Sequence, residues 1–484
     1  MAHHFANGIP AHLSMWQRVR EYAVPPSMIE TAAARRAVGD WAGACAAARI
    51  DIDLDLRAVR HRHGTELVTR LRTDLRRLVP DLLRWHMPRI APDGRLRPGL
   101  TVCLARYPGS GGTTAPQLVV RTPPAWADAG QRMSLALWEE RGSGTPGQHP
   151  RYPHPHPHPD RRFRLDLHRH LWDAEHSGEL ARRCGVGALP GDSTWATARW
   201  ADEAELLLRA EGRPHEAFAV RLGARRHGVF HLVAPDDSHA PICLPLRETP
   251  PQEVAALPLL PEAAARVLPD LELLRAGLIT AQRLHPLVAA GLAASGPAPM
   301  AEPAPAPAPG DPHRVECRGE IHRIELRDGT LTAVDHDPAQ LRREELLVAL
   351  GGPALPCLRA IDAVHRTPEA LPAVRERLGH GDVTGALAVV EGLLGPRAVL
   401  RDGPLREALE SAAVRRLDHG LFRAGLVAGH PAAGASGVGN DDTYASGTGR
   451  TKAAGRRPRL GRHTPHAMRL RLSRRTRPRI ALQR

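Results

Sequence analysis

A chain of 484 residues with 42% hydrophobic content has room for two or three folded units, each large enough for its own core. Its net charge of +14 is unevenly spread: between Pro431 and Arg484 twelve Arg and one Lys face only Asp441 and Asp442, so that tail carries +11 and the body is nearly neutral. The single lysine of the chain, Lys452, lies in the tail, which leaves the body without an amine and excludes a Walker-type phosphate loop, a kinase lysine and Schiff-base chemistry there.

Aromatic residues make up only 4%, so the cores must be filled by Leu, Val and Ala, a composition that favours helix on helix. All eight Trp fall between Trp16 and Trp200, placing the heavier packing in the first half. Near-exclusive use of Arg, with abundant Ala, Pro and Gly, reads as the bias of a GC-rich coding sequence and not as selection for phosphate binding. The six cysteines form no CxxC pair and read as reduced thiols packed as small core residues. Met1 to Arg20 holds no long apolar run, so no signal peptide is expected. Leu271 to Ala294 is the most apolar long stretch, but Arg275, Arg283 and His285 argue against a membrane span. The expected setting is cytoplasmic, with no membrane partner.

In chain order, residues 15–90 read as a helical domain. Ser27 and Glu30 have the spacing of a capping box, predicting a helix through Val38; Gly39-Asp40 marks a turn and Trp41 opens a second helix. Leu67, Leu71, Leu75 and Leu78 recur at helical spacing, and Pro80 suits the first turn of the next helix. Residues 98–295 read as a mixed α+β region. Strands are expected at Leu100–Arg106, Gln117–Arg121, Met133–Trp138 and Gly228–Val233, and helices at His170–Arg183, Trp195–Ala210 and Pro261–Ala294. A disordered Pro/His loop is expected at 141–161. A Pro-Ala linker follows at 296–312, too stiff and too small in its side chains to build a core. Residues 313–428 read as a β-hairpin plus helices: Asp328-Gly329 separates Val315–Arg327 from Leu331–Val334, while Asp337-Pro338 and Thr367-Pro368 signal helix starts. From 429 to 484 the expectation is a disordered basic tail.

A pattern G-x-x-x-[GE]-A-x-A recurs at Gly39, Gly212 and Gly381, each where one helix is expected to end and another to begin. Its shape is similar to the turn between paired helices of tetratricopeptide-type repeats, where Gly permits the turn and Ala the close approach of the helices. The other positions of that repeat are missing, and the intervals are far too long for an array.

Motifs that carry chemistry fail on their surroundings. Gly142 to Gly147 matches GxGxxG, but His149, Pro150, Pro153 and Pro155 prevent the helix a dinucleotide site requires. Gly109 to Thr114 has no lysine and reads as a hairpin loop. Asp51, Asp53 and Asp55 alternate as in a calcium loop, but Leu56 and Arg62 occupy the positions that need Gly and Glu. His154, His156 and His158 form a His-Pro alternation able to bind a transition metal loosely. A tighter set of His168, His170, His176 and Cys184 is disfavoured, because two helical turns between His176 and Cys184 are too far for one ion.

The expected fold class is therefore mainly α with small β elements, α+β in type. The expected function is a non-enzymatic protein-interaction or adaptor module, with another protein as partner, no cofactor and no assigned catalytic residue. Two alternatives stand beside it. One is an enzyme whose site is assembled from residues distant in sequence. The other is nucleic-acid binding through the tail, with Arg471, Arg474, Arg475, Arg477 and Arg479 on phosphates.

Overall fold

The computed structural model describes residues 9–108, 115–139, 158–184 and 194–293, the last with short interruptions, then strands between 314 and 333, residues 371–394 and 402–424, and a few single positions between 337 and 400. Helices dominate, and the strands form four small sheets. Among the described residues no helix is long and apolar enough to cross a membrane.

The chain opens with α1 (Ala11–Arg18), which continues into a π-helical turn, Val19–Ala23. Next come α2 (Pro26–Ala37) and α3 (Trp41–Ala47). The capping box at Ser27 does not form. Pro26, with its backbone torsion already helical, starts α2 one residue earlier, and Ser27 lies inside the first turn. Strand β1 (Ile50–Asp53) leads to α4 (Leu56–Arg77), capped by Asp55, whose carboxylate accepts the N–H groups of Arg57 and Ala58. Leu67, Leu71 and Leu75 line its buried side, and Pro80 begins α5 (Pro80–His86) as expected.

The central sheet contains β4 (Thr101–Arg106), β5 (Gln117–Arg121) and β6 (Met133–Trp138), an antiparallel meander joined by β1, which pairs with β6 in parallel from Ile50 opposite Met133. A two-residue pair, β2 (Arg89–Ile90) and β3 (Arg95–Leu96), precedes it. The expected helix at His170–Arg183 is instead two 3-10 turns followed by α6 (Leu180–Cys184). Long-range bonds win over helix there: the Trp172 carbonyl accepts the Val79 N–H, and Asp173 bridges to Leu78. Helix α7 is Trp200–Ala210, preceded by a 3-10 turn where the sequence predicts one longer helix.

A correction applies to the turn at Gly212. A helix ends there, but β7 (Ala217–Arg221) follows, and its Phe218 and Val220 are claimed by pairing with β8 (His227–Val233) and burial under α7. Strand β9 (Ile242–Leu246) completes that sheet, and α8 (Pro251–Ala256) follows. The expected helix Pro261–Ala294 divides into α9 (Glu262–Ala265), α10 (Pro269–Arg275), a 3-10 turn and α11 (Pro286–Ala293). Pro269 and Pro286 each lack the N–H needed to continue a helix and instead start one.

Further along, β10 (Arg314–Cys317), β11 (Glu320–Arg327) and β12 (Thr330–Ala333) form a meander. Arg327 pairs with Thr330, while Asp328 and Gly329 lie outside the described residues; the run Val315–Arg327 is two strands and not one. The last helices are α12 (Leu371–Gly379), α13 (Val383–Leu394) and α14 (Pro404–Arg423).

One continuous core runs from Leu13 to Leu292 and holds the fully buried Trp85 and Trp172. A smaller core joins α12, α13 and α14, and a third lies between α7 and the β7–β8 pair. The α12–α13 turn docks on the body. Arg49 donates to the His380 carbonyl at 2.8 Å, and Gly381 lies against the backbone of Gly130.

Candidate functional site

Of the metal-binding tract, His154 and His156 lie outside the described residues, while His158 is exposed and packs edge-on against Trp138 at 5.9 Å. No group of three or more His, Cys, Asp or Glu among the described residues is placed to hold a metal. Arg471, Arg474, Arg475, Arg477 and Arg479 also lie outside the described residues. The alternating aspartates are occupied by protein partners: Arg423 donates to Asp53, and Arg132 and His419 engage Asp51. His168 sits with its ring 3.2 Å from the Glu203 carboxylate and 5.8 Å from the His170 ring, and His176 lies 3.1 Å from Asp173. Burial pushes the Cys184 thiol up to about 12, so it is protonated at neutral pH.

The structure instead assembles a cavity of about 550 Å³ that no short motif announces. One wall is α1 and its π-helical extension, contributing Met15, Trp16 and Arg20. A second is the α5–β2 corner with His86 and Arg89, followed by Arg97. Phe163, Leu165 and Leu171 form an apolar floor, and Arg221, Glu262, Arg266 and Glu272 close the site from β7, α9 and α10. Five arginines face two glutamates.

Those guanidiniums are not equivalent. Arg20 is neutralised by a two-pronged bond to Asp270 and packs over the Trp16 and Trp85 rings. Arg221 lies 3.3 Å from Glu262, and Arg266 covers the Trp195 ring at 4.3 Å. Arg89 and Arg97 differ: each carries a buried Nε with no hydrogen-bond partner. Burial, with the Arg20 charge added, lowers Arg89 to about 9. Burial and then the charges of Arg162 and Arg221 lower Arg97, partly offset by Glu262. Both shifts mark positive charge held where more positive charge is unwelcome and an anion is favoured.

His86 gives its Nδ1 proton to the Leu171 carbonyl at 3.0 Å, so Nε2 is left as a buried acceptor without a partner. Burial pushes this imidazole down to about 4, and burial also drives His170 well below its ordinary value. Glu272 moves the other way: burial raises it to about 7 against the opposing charges of Arg266 and Arg275. The site thus sets an excess of guanidiniums over carboxylates against aromatic and aliphatic walls, with one carboxyl raised to about 7.

The residues concerned span His12 to Glu272, so spacing could not reveal them. No family model matches the chain, and neither a curated protein nor a solved structure matches it.

Proposed function

We propose that this protein works by binding, as an interaction protein whose body takes a small organic anion into the arginine-lined cavity. The observation that carries the reading is the lining of the cavity, five guanidiniums against two carboxylates. About 550 Å³ is within the range of small-molecule sites, and Trp16, Phe163 and Leu171 supply apolar surface for the body of a ligand. Its anionic head, a carboxylate or a phosphate monoester, would take two or more N–H bonds from the guanidiniums. Another protein remains the expected partner, with ligand occupancy bearing on its recruitment through α1 and the helices packed against it.

Titration calorimetry of the full chain against aromatic carboxylates and phosphate monoesters tests the reading. The expected result is saturable binding by one class, weakened at least tenfold in Arg97→Ala. Binding by neither class, or binding indifferent to Arg97→Ala and Arg221→Ala, overturns it.

One observation favours a second, enzymatic reading: Glu272, raised to about 7, has the pH range of a general acid or base. Under that reading a bound ligand is converted over time, and Glu272→Gln stops conversion while binding persists. A ligand recovered unchanged after prolonged incubation rules it out.

A further inference from the structure

We infer that the ligand of the arginine-lined cavity carries an ammonium group as well as its anionic head, and that Glu272 receives the ammonium. The inference rests on the reading of the cavity as a small-anion site and adds a second requirement on the same ligand.

Of the two carboxylates that line the cavity, Glu262 has a protein partner: Arg221 reaches it at 3.3 Å. Glu272, on α10, has none within hydrogen-bond distance among the described residues. The basic nitrogen that comes within 4 Å of it is Nε2 of His12 on α1, at 3.8 Å, too far for a hydrogen bond.

The other cations around Glu272 do not fill this gap. Burial, and then the charge of Arg266, lower the His12 imidazole, so it is mainly neutral at pH 7 and is no counter-ion. From the π-helical turn, Arg20 gives both prongs to Asp270, two residues before Glu272. Arg266, where α9 ends, lies over the Trp195 ring at 4.3 Å, and Arg275, at the end of α10, is exposed. The charges of Arg266 and Arg275 act on Glu272, yet burial still lifts its carboxyl to about 7. A carboxyl in that setting ionises fully only when a cationic donor joins it, and Glu272 opens onto a cavity of about 550 Å³ that has room for one. A ligand hydroxyl would bond either form of the carboxyl; an ammonium favours the ionised form.

The two ends of the cavity are electrically distinct. The charges acting on Arg97 are those of Arg162, Glu262, Arg221 and Asp160, whereas those acting on Glu272 are Arg266 and Arg275. An anionic head at Arg97 and an ammonium at Glu272 therefore belong at opposite ends of the ligand, with an aromatic or aliphatic body between them against Trp16 and Phe163. The ligand class is an amino acid whose amine is remote from its acid group.

Titration calorimetry of the full chain, comparing 4-methylbenzoate with 4-(aminomethyl)benzoate, tests this, because the two differ only in an amine at the end remote from the carboxylate. The amine is expected to tighten binding about tenfold or more. At pH 7 its binding should also release up to about half a proton as Glu272 ionises, read from the dependence of the heat on the ionisation enthalpy of the buffer. In Glu272→Gln both the gain in affinity and the proton release should disappear. Equal affinities for the two compounds overturn the inference and leave the anion reading standing, whereas binding of neither overturns both. An amine advantage that comes without proton release, or that survives in Glu272→Gln, places the ammonium away from Glu272 and also overturns the inference.

Discussion

Arg20 and Asp270, 250 residues apart, are joined by two hydrogen bonds of 2.8 and 2.6 Å in a position almost closed to water. The same carboxylate receives the Trp85 indole N–H at 3.1 Å, and Arg20 also donates to the Trp85 carbonyl. This triad ties the π-helical turn and α5 to α10. Removing one member leaves a buried charge without its partner, so Asp270→Asn should cost about 3–5 kcal/mol. The double variant Arg20→Met, Asp270→Leu should cost much less, because it buries no orphaned charge. Urea denaturation of both reads the difference; equal losses would show that the pair acts only through packing.

The turns α2–α3 and α12–α13 are built alike. Gly39 and Gly381 have φ of +76° and +82°, Asp40 and Asp382 accept the N–H of Gly43 and Gly385, and Arg35 and Arg377 reach the same aspartates at 3.3 and 3.0 Å. Their surroundings differ. A Cβ on Gly39 meets open space, whereas one on Gly381 would lie 2.1 Å from the Gly130 carbonyl oxygen. Gly39→Ala should therefore cost only the left-handed backbone penalty of about 1–2 kcal/mol. Gly381→Ala adds a steric clash of about 1–3 kcal/mol and loosens α12–α14 from the body. Chemical denaturation ranks the two variants, and limited trypsin digestion should release the C-terminal helices faster in Gly381→Ala alone.

Local signals in the sequence carried as far as local causes reach. The leucines of α4, the meander β4–β6 and the pairing of β11 with β12 follow from side-chain period and short connections, which act within a few residues. Strand β1 was not legible, because its reason to exist is β6, some 80 residues away. The run after His170 misled for a related reason: bonds from Trp172 and Asp173 to the end of α4 outweigh its helical pattern. The cavity was least legible of all. Its arginines looked like compositional bias, and only tertiary structure separates Arg89 and Arg97 from guanidiniums that have partners.

The buried imidazoles give stability a definite pH dependence. His86, pushed down to about 4 by burial, and His170, also lowered by burial, are neutral when folded. An unfolded His titrates near 6.5, so their stabilisation is complete above that pH and is lost as pH falls toward the folded values. Each group adds a slope of up to about 1.4 kcal/mol per pH unit in that window. Urea midpoints of the ligand-free protein should fall between pH 6.5 and 4, and the decline should flatten in the double variant His86→Gln, His170→Gln. An unchanged slope in that variant would assign the acid sensitivity to other groups.

Asp51 governs the opposite attachment of the C-terminal helices. On β1, it receives Arg132, stands 3.3 Å from His419 of α14, and lies 3.8 Å from the Arg423 guanidinium, which itself grips Asp53 at 2.7 and 2.5 Å. Burial alone would raise its carboxyl, but the bonds from His419 and Arg132 outweigh burial and hold it well below the usual carboxylate range. Its stabilisation is therefore present above the unfolded value of about 3.9 and is lost as pH falls below it. Arg423 is partly solvated, so Arg423→Ala should cost about 0–1 kcal/mol. Asp51→Asn should cost more, about 1–3 kcal/mol, because it removes the acceptor shared by β6's neighbour Arg132 and by α14. The ordering Asp51→Asn above Arg423→Ala at pH 7, converging below pH 3, is what urea titration should find. A larger loss from Arg423→Ala would place the grip of α14 in the Asp53 pair and not in Asp51.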